Sequence, residues 1–259
     1  MFLHCTRPIL EKVKYGSFLF LNLEGDFILL RFWGQPKFSR DPLEPVGYEL
    51  FLREGSMTEW EVPSDFSKFT ASQIANLLIQ TAPALPHNMK SLSVNLDIDQ
   101  FIDPQFCQTF VSIQNEISCR HLSIELTEHP SDTPIPDQIL LAATKRYTDA
   151  NFAVILDDVG SGDNQLKRVK LLNNYVNEYK FAVQNFRPGE SLEAIVPKLS
   201  FWCDLARTNN KVFTIEGVES KKDLLTLSDY QADMLQGYTL GRPVLLPIKG
   251  DSEKSLVHC

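Results

Sequence analysis

Apolar and polar positions along the chain switch repeatedly between a period of two and a period near 3.6, the pattern of strands alternating with helices. Phe27–Trp33 and Gly47–Arg53 read as strands, the first closed by Gln35–Pro36, and no helical pattern separates them. Ile74, Leu77 and Leu78 then mark the buried face of a helix expected over Ser67–Gln80, with Ser67 or Thr70 as its N-cap. Beyond a proline-rich link the alternation becomes regular. Strands are expected at Leu92–Asn95, Leu122–Glu125, Ala153–Asp157, Tyr175–Lys180, Val212–Glu216 and Ala232–Gln236. Between them fall helices at Phe106–Ile117, Pro136–Ala150, Asp163–Leu172, Leu192–Thr208 and Lys221–Tyr230.

A strand-to-strand spacing of about 30 residues predicts βα units and a parallel sheet, and about eight strands suggest a closed barrel. The expected fold is therefore a (β/α)8 TIM-like barrel whose first strand pairs antiparallel, because no helix links it to the second. No composition shift divides residues 1–259, so one domain is expected, with its core at about 25–245 and a flexible tail over 246–259.

Composition narrows the function. With 43% hydrophobic residues the chain can bury a large core, and a net charge of −8 with no run of Lys and Arg argues against duplex DNA as a partner. Five scattered cysteines without a C-x-x-C pair imply neither a disulfide framework nor a zinc knuckle, which fits a reducing cytoplasm. Phe18–Leu21 is interrupted by Asn22 and Glu24 too soon for a membrane span, so no membrane association is expected.

The apolar run Val154–Leu156 ends in two adjacent acids, Asp157 and Asp158, followed by a glycine-rich turn. One reading makes Asp158 a helix cap and Asp157 a solvated turn residue. The other makes them ligands of a hard cation such as Mg²⁺ or Mn²⁺, since carboxylates converging at a strand end repel unless a cation joins them. The other strands also end on, or close to, polar groups: Glu49, Asn95, Glu125, Lys180, Glu216 and Gln236. In a parallel barrel these ends share one mouth, where barrel active sites are built.

These segments carry a resemblance. Tyr48–Arg53 is similar to the signature EALLR, Leu92–Leu96 to an NLS strand, Ile124–Glu128 to E-[IL]-T-E and Asp157–Gly162 to DDFGTG. Glu216–Glu219 matches EGVE, and Gln236–Tyr238 with Gly241–Pro243 matches QGY…GRP. Together, from about Gln35 to Pro243, they resemble the EAL domain, the barrel phosphodiesterase of cyclic di-GMP signalling. The resemblance implies two divalent cations, Mg²⁺ or Mn²⁺, held by Glu49, Asn95, Glu125, Asp157, Asp158 and Glu216, with Ca²⁺ competing but supporting no chemistry. It implies Lys180 as the catalytic lysine beside the attacking water, with Glu49 and Glu219 as further catalytic candidates. Arg53, Gln35, Gln236 and Glu128 become substrate-side candidates, Arg53 on a phosphate and Glu128 steadying the loop after Asp158. Linear pGpG would be the product, and the loop after Asp158 would lie beside a homodimer surface.

Several positions depart from that pattern. Glu49–Leu50–Phe51 stands for Glu-Ala-Leu, Val159 and Ser161 replace Phe and Thr, and Lys180–Phe181–Ala182 lacks the Asp of Lys-[IL]-Asp. The bulkier Leu50 and Phe51 are expected to shift Glu49, and the missing acid at Ala182 to slow turnover more than binding. The competing expectation is an EAL-like protein that binds cyclic di-GMP, or a regulatory protein partner, without cutting.

Overall fold

The computed structural model describes residues 18–21 and 27–251, apart from 57, 58, 119, 188 and 228. Four strands come first: β1 (Phe18–Leu21), β2 (Phe27–Ser39), β3 (Glu44–Gly55) and β4 (Trp60–Glu61). Helix and strand then alternate through α1 (Ala71–Thr81), β5 (Ser91–Leu96), α2 (Ile98–Ile102), α3 (Pro104–Ile113), β6 (His121–Leu126), α4 (Asp137–Asp149) and β7 (Ala153–Leu156). The second half adds α5 (Leu166–Leu172), β8 (Glu178–Ala182), α6 (Leu192–Thr208), β9 (Val212–Glu216), α7 (Lys221–Leu227), β10 (Met234–Leu235) and β11 (Val244–Leu245). Around the barrel the order is β2, β3, β5, β6, β7, β8, β9 and β10, returning to β2. Within the barrel every pairing from β3 round to β10 is parallel, whereas β2 runs antiparallel to both of its barrel neighbours, as its missing crossover helix requires, and β4 adds to β3 antiparallel outside the barrel order.

β2 differs from its expected form. It passes through Gln35 and Pro36 to Ser39 instead of stopping there. Pro36 cannot donate to a ladder, but it lies between Gly34, where β11 pairs, and Phe38, where β10 pairs, so neither of those ladders needs its N–H. Helix α1 begins at Ala71, because Thr70 closes a capping box with Gln73: Thr70 Oγ1 accepts from the Gln73 N–H and Gln73 Oε1 accepts from the Thr70 N–H. α6 spans the residues expected of it, while α5 starts at Leu166, after a loop that includes Asp163.

The expected flexible tail fails over residues 246–251. The Leu246 N–H bonds to the Phe32 carbonyl, Leu246 and Ile248 are buried, and Asp251 forms a 2.6 Å ion pair with buried Arg31. Leu246 and Ile248 share one side of an extended segment, too brief an alternation to stand out beside Pro243 and Pro247. Residues 252–259 lie outside the described residues.

The core is the layer between barrel and helices, where Leu50, Leu77, Leu78, Val94, Phe110, Ile124, Tyr147 and Leu199 are fully or nearly fully buried. It holds the strands rigidly, so side chains at their ends keep fixed positions. Among the described residues, no helix is long and apolar enough to cross a membrane.

Candidate active site

The period of two on β3 sends Glu49, Phe51 and Arg53 to the inside of the barrel and Leu50 to the helix layer, where it is buried. Leu50 therefore does not crowd Glu49. That carboxylate is held by three donors, Asn95 Nδ2 at 2.7 Å, Gln236 Nε2 at 2.8 Å and Lys180 Nζ at 2.9 Å, so the expected shift is opposed on every side. Phe51 stays half-buried at the mouth, beneath the Arg53 guanidinium.

Lys180 is completely buried, and its ammonium reaches four carboxylates: Glu49 at 2.9 Å, Glu125 at 2.5 Å, Asp157 at 2.9 Å and Glu216 at 2.5 Å. Burial alone would lower its pKa, but the acids override it and hold it well above the ordinary lysine value. The acids remain in excess. Glu216 is pushed up to about 8 by burial, with Glu49 and Asp158 adding to the effect against the pull of Lys180. Asp157 is raised well above its usual range, first by burial and then by Glu216, Asp158 and Glu125.

Asp158 sits at φ +47, a left-handed conformation that turns its carboxylate back over the mouth. Burial raises it to about 6, although Asn185 Nδ2 donates to it at 2.7 Å. The loop is braced from below: at Gly162 (φ +43) a Cβ would lie 2.4 Å from the Glu128 carbonyl oxygen, and the Asp163 N–H bonds to that same oxygen. Asp157 and Asp158 with Glu128, and separately Glu49, Glu125 and Asp157, bring carboxylate oxygens within 4.8 Å of one another. Asn95 Oδ1 and Asp158 Oδ1 are buried without a hydrogen-bond partner among the described residues. An all-oxygen donor set with unpaired buried acceptors fits a hard divalent cation.

The other expected residues spread outward. Gln236 also donates to Gln35 Oε1 at 3.3 Å, and Gln35 donates to the Gly241 carbonyl, tying β2 to the loop after β10. Arg53 is half-buried and donates to the Leu52 carbonyl, away from the acids. Glu219 is not brought into the cluster around Lys180; it pairs with Arg187 at the rim, and Arg187 also holds Asp223. Two hollows open on the mouth. One of about 230 Å³ is lined by Glu49, Phe51, Arg53, Asn95, Asp157 and Asp158 among others, and one of about 170 Å³ by Gln35, Glu216, Gln236 and Tyr238 among others.

Two residues of the site were not foreseen. Asn185 steadies Asp158, and Lys37, 2% exposed inside the barrel, donates to Glu125 Oε1 at 2.6 Å. The signal for Lys37 is its spacing of two from Gln35, which Pro36 masks by marking an end of strand.

The EAL domain model matches residues 30–243. The chain belongs to the EAL domain family. Among curated EAL relatives, the probable cyclic di-GMP phosphodiesterase PdeN of Escherichia coli K12 is 24% identical over 229 residues, covering 82% of this chain and 43% of that protein. The chain spans less than half the length of the curated relatives it matches. Among solved structures, the PaMucR phosphodiesterase in complex with cyclic di-GMP superposes with a TM-score of 0.67 at 23% identity, covering 84% of this chain and 97% of that one. The Bacillus subtilis YkuI protein, with an EAL domain and solved with cyclic di-GMP and calcium, gives a TM-score of 0.66 at 17% identity, covering 83% and 55%. Both likenesses agree with the closed EAL barrel described above.

Proposed function

We propose that this EAL chain is a metal-dependent phosphodiesterase that hydrolyses cyclic di-GMP to linear pGpG. The observation that carries the reading is the convergence of Glu49, Glu125, Asp157 and Glu216 on one buried ammonium, with Asn95 Oδ1 and Asp158 Oδ1 left unpaired at the same mouth. The activity named for PdeN supports it. Of the six expected ligands, Glu49, Asn95, Asp157, Asp158 and Glu216 would hold Mg²⁺ or Mn²⁺, while both oxygens of Glu125 accept from Lys37 and Lys180. When bound, such cations lower the pKa of a water and neutralise charge growing on the phosphorus oxygens.

The chain's own groups supply the rest. Lys180, kept charged by its four acids, would turn one of the three N–H groups that now bond to Glu49, Glu125 and Asp157 toward the attacking water and fix its direction. Gln236 and Asn95 hold the Glu49 carboxylate in one orientation. Arg53 at the mouth receives a phosphate of the ligand, and Tyr238, half exposed beneath the Arg242 guanidinium at 4.5 Å, offers a face for a guanine. Glu128 acts on the ligand side only through the loop it braces.

A second reading, binding without cutting, is favoured by one position. Ala182, 1% exposed and in register with Glu216, supplies no carboxylate beside the cluster. Incubation of the purified protein with cyclic di-GMP and Mn²⁺, followed by chromatography, separates the two. Conversion to pGpG supports the enzyme, whereas retained ligand with no product supports the binding protein. The same reading makes the chain a cytoplasmic homodimer through the face beside the loop after Asp158. Light scattering at micromolar concentration should give twice the chain mass, and a fully active monomer would refute the dimer.

A further inference from the structure

The barrel interior holds a second buried ammonium that the reaction proposed above does not use. Lys37 comes from β2, the antiparallel strand, and crosses the interior to β6, where it donates to Glu125 Oε1 at 2.6 Å. The other oxygen of that carboxylate, Oε2, accepts from Lys180 at 2.5 Å. Glu125 is wholly buried, and each of its oxygens faces a full positive charge. Glu178, also buried, lies near Lys37 and accepts from Thr214 Oγ1 at 2.6 Å, which anchors the lower side of the same layer.

We propose that Lys37 is a positioning residue that withdraws Glu125 from the metal set, so that the chain binds divalent cations through Glu49, Asn95, Asp157, Asp158 and Glu216 and more weakly than it would without this lysine. The inference rests on the metal-dependent reading given above. Two physical effects act together. Lys37 occupies the Glu125 oxygen that Lys180 leaves open, and its fixed positive charge stands next to the place where a cation must enter, within the range at which unit charges repel strongly in a protein interior. A purely packing role for Lys37 would affect folding and leave cation affinity alone.

The test is Mn²⁺ titration, by calorimetry and by the electron paramagnetic resonance signal of free Mn²⁺, on the parent, Lys37→Met and the double variant Lys37→Met with Glu125→Gln. Lys37→Met should bind Mn²⁺ at least about tenfold more tightly, because Glu125 is freed as a ligand and the repulsion is gone. The double variant removes both partners of a buried pair, a change that barrels tolerate better than breaking it. It should bind Mn²⁺ within about threefold of the parent, since the charge it deletes sums to zero. Equal affinity of Lys37→Met and parent overturns the inference while leaving the metal reading standing. Should Lys37→Met fail to fold, a loss of more than tenfold in the double variant overturns the inference, because it shows Glu125 acting as a ligand in the parent. Absence of Mn²⁺ binding in every protein overturns both readings.

Discussion

Ala182→Asp probes the site where this chain has given up an acid. Ala182 is 1% exposed, on the inward face of β8 two residues beyond Lys180 and in register with Glu216. A carboxylate placed there joins an excess of negative charge. The neighbouring Glu216 sets the scale of the cost: a rise from about 4.5 to about 8 corresponds to roughly 5 kcal/mol at about 1.36 kcal/mol per pH unit. The freedom of a shorter side chain to turn toward the open mouth reduces this, so about 2–3 kcal/mol is expected for the metal-free variant at pH 8. For a barrel of this size that lowers Tm by about 4–10 °C. Mn²⁺ should reverse the loss, since the added acid becomes a ligand, and hydrolysis should rise by about tenfold or more while cyclic di-GMP affinity measured with Ca²⁺ changes by less than about threefold. Thermal melts with and without Mn²⁺, paired with single-turnover hydrolysis and calorimetry, read all three quantities. A metal-free variant as stable as the parent at pH 8, gaining no more from Mn²⁺, would refute the view that position 182 borders the cation site.

Further expectations concern the same charges. Asp157→Asn should abolish hydrolysis with an unchanged circular dichroism spectrum, and parental turnover in that variant would show the metal assignment to be wrong. Glu216 has a folded value of about 8 against about 4.5 when unfolded, so the folded metal-free protein holds an extra proton between them. Its stability from this group is present below about pH 4.5 and declines as pH rises to 8, while Mn²⁺ affinity climbs over the same range; urea midpoints that rise with pH across this window, without metal, would contradict the sign. Asp251→Asn leaves buried Arg31 without its charge partner and should cost about 3 kcal/mol, seen as a lower melting temperature, whereas a change under 1 kcal/mol would mean the pair contributes little.

How far the sequence revealed the fold depends on how each residue announces itself. β7 was legible as a continuous apolar run, β5, β6, β8 and β9 because apolar residues alternate with polar ones that face the barrel interior, and α6 because Ile195, Leu199, Trp202 and Ala206 repeat at helical spacing. Glu49, Asn95, Glu125 and Asp157 were legible from position alone, at strand ends that one mouth collects. Pro36 hid the rest of β2, and with it Lys37, because a proline normally ends a strand unless the neighbouring ladder leaves a gap. Leu50 was misjudged for another reason: a sequence neighbour in a strand is not a spatial neighbour, and its bulk went to the opposite face. Glu219 shares its motif with Glu216 yet faces the rim, where Arg187 claims it.

The grip of the chain's outer segments on β2 has a mechanical meaning. Phe18 pairs with Leu30, and Asp251 bonds to Arg31, so two segments more than 200 residues apart converge on adjacent residues of one strand. Tension applied at either segment, from any attached body or surface, loads β2 in shear along its ladders. The same strand carries Gln35, which touches Gln236, and Lys37, which touches Glu125. A slip of one residue would turn both side chains out of the barrel and reverse its inner face. Strain on the chain's periphery and the charge balance of its centre thus meet on one strand.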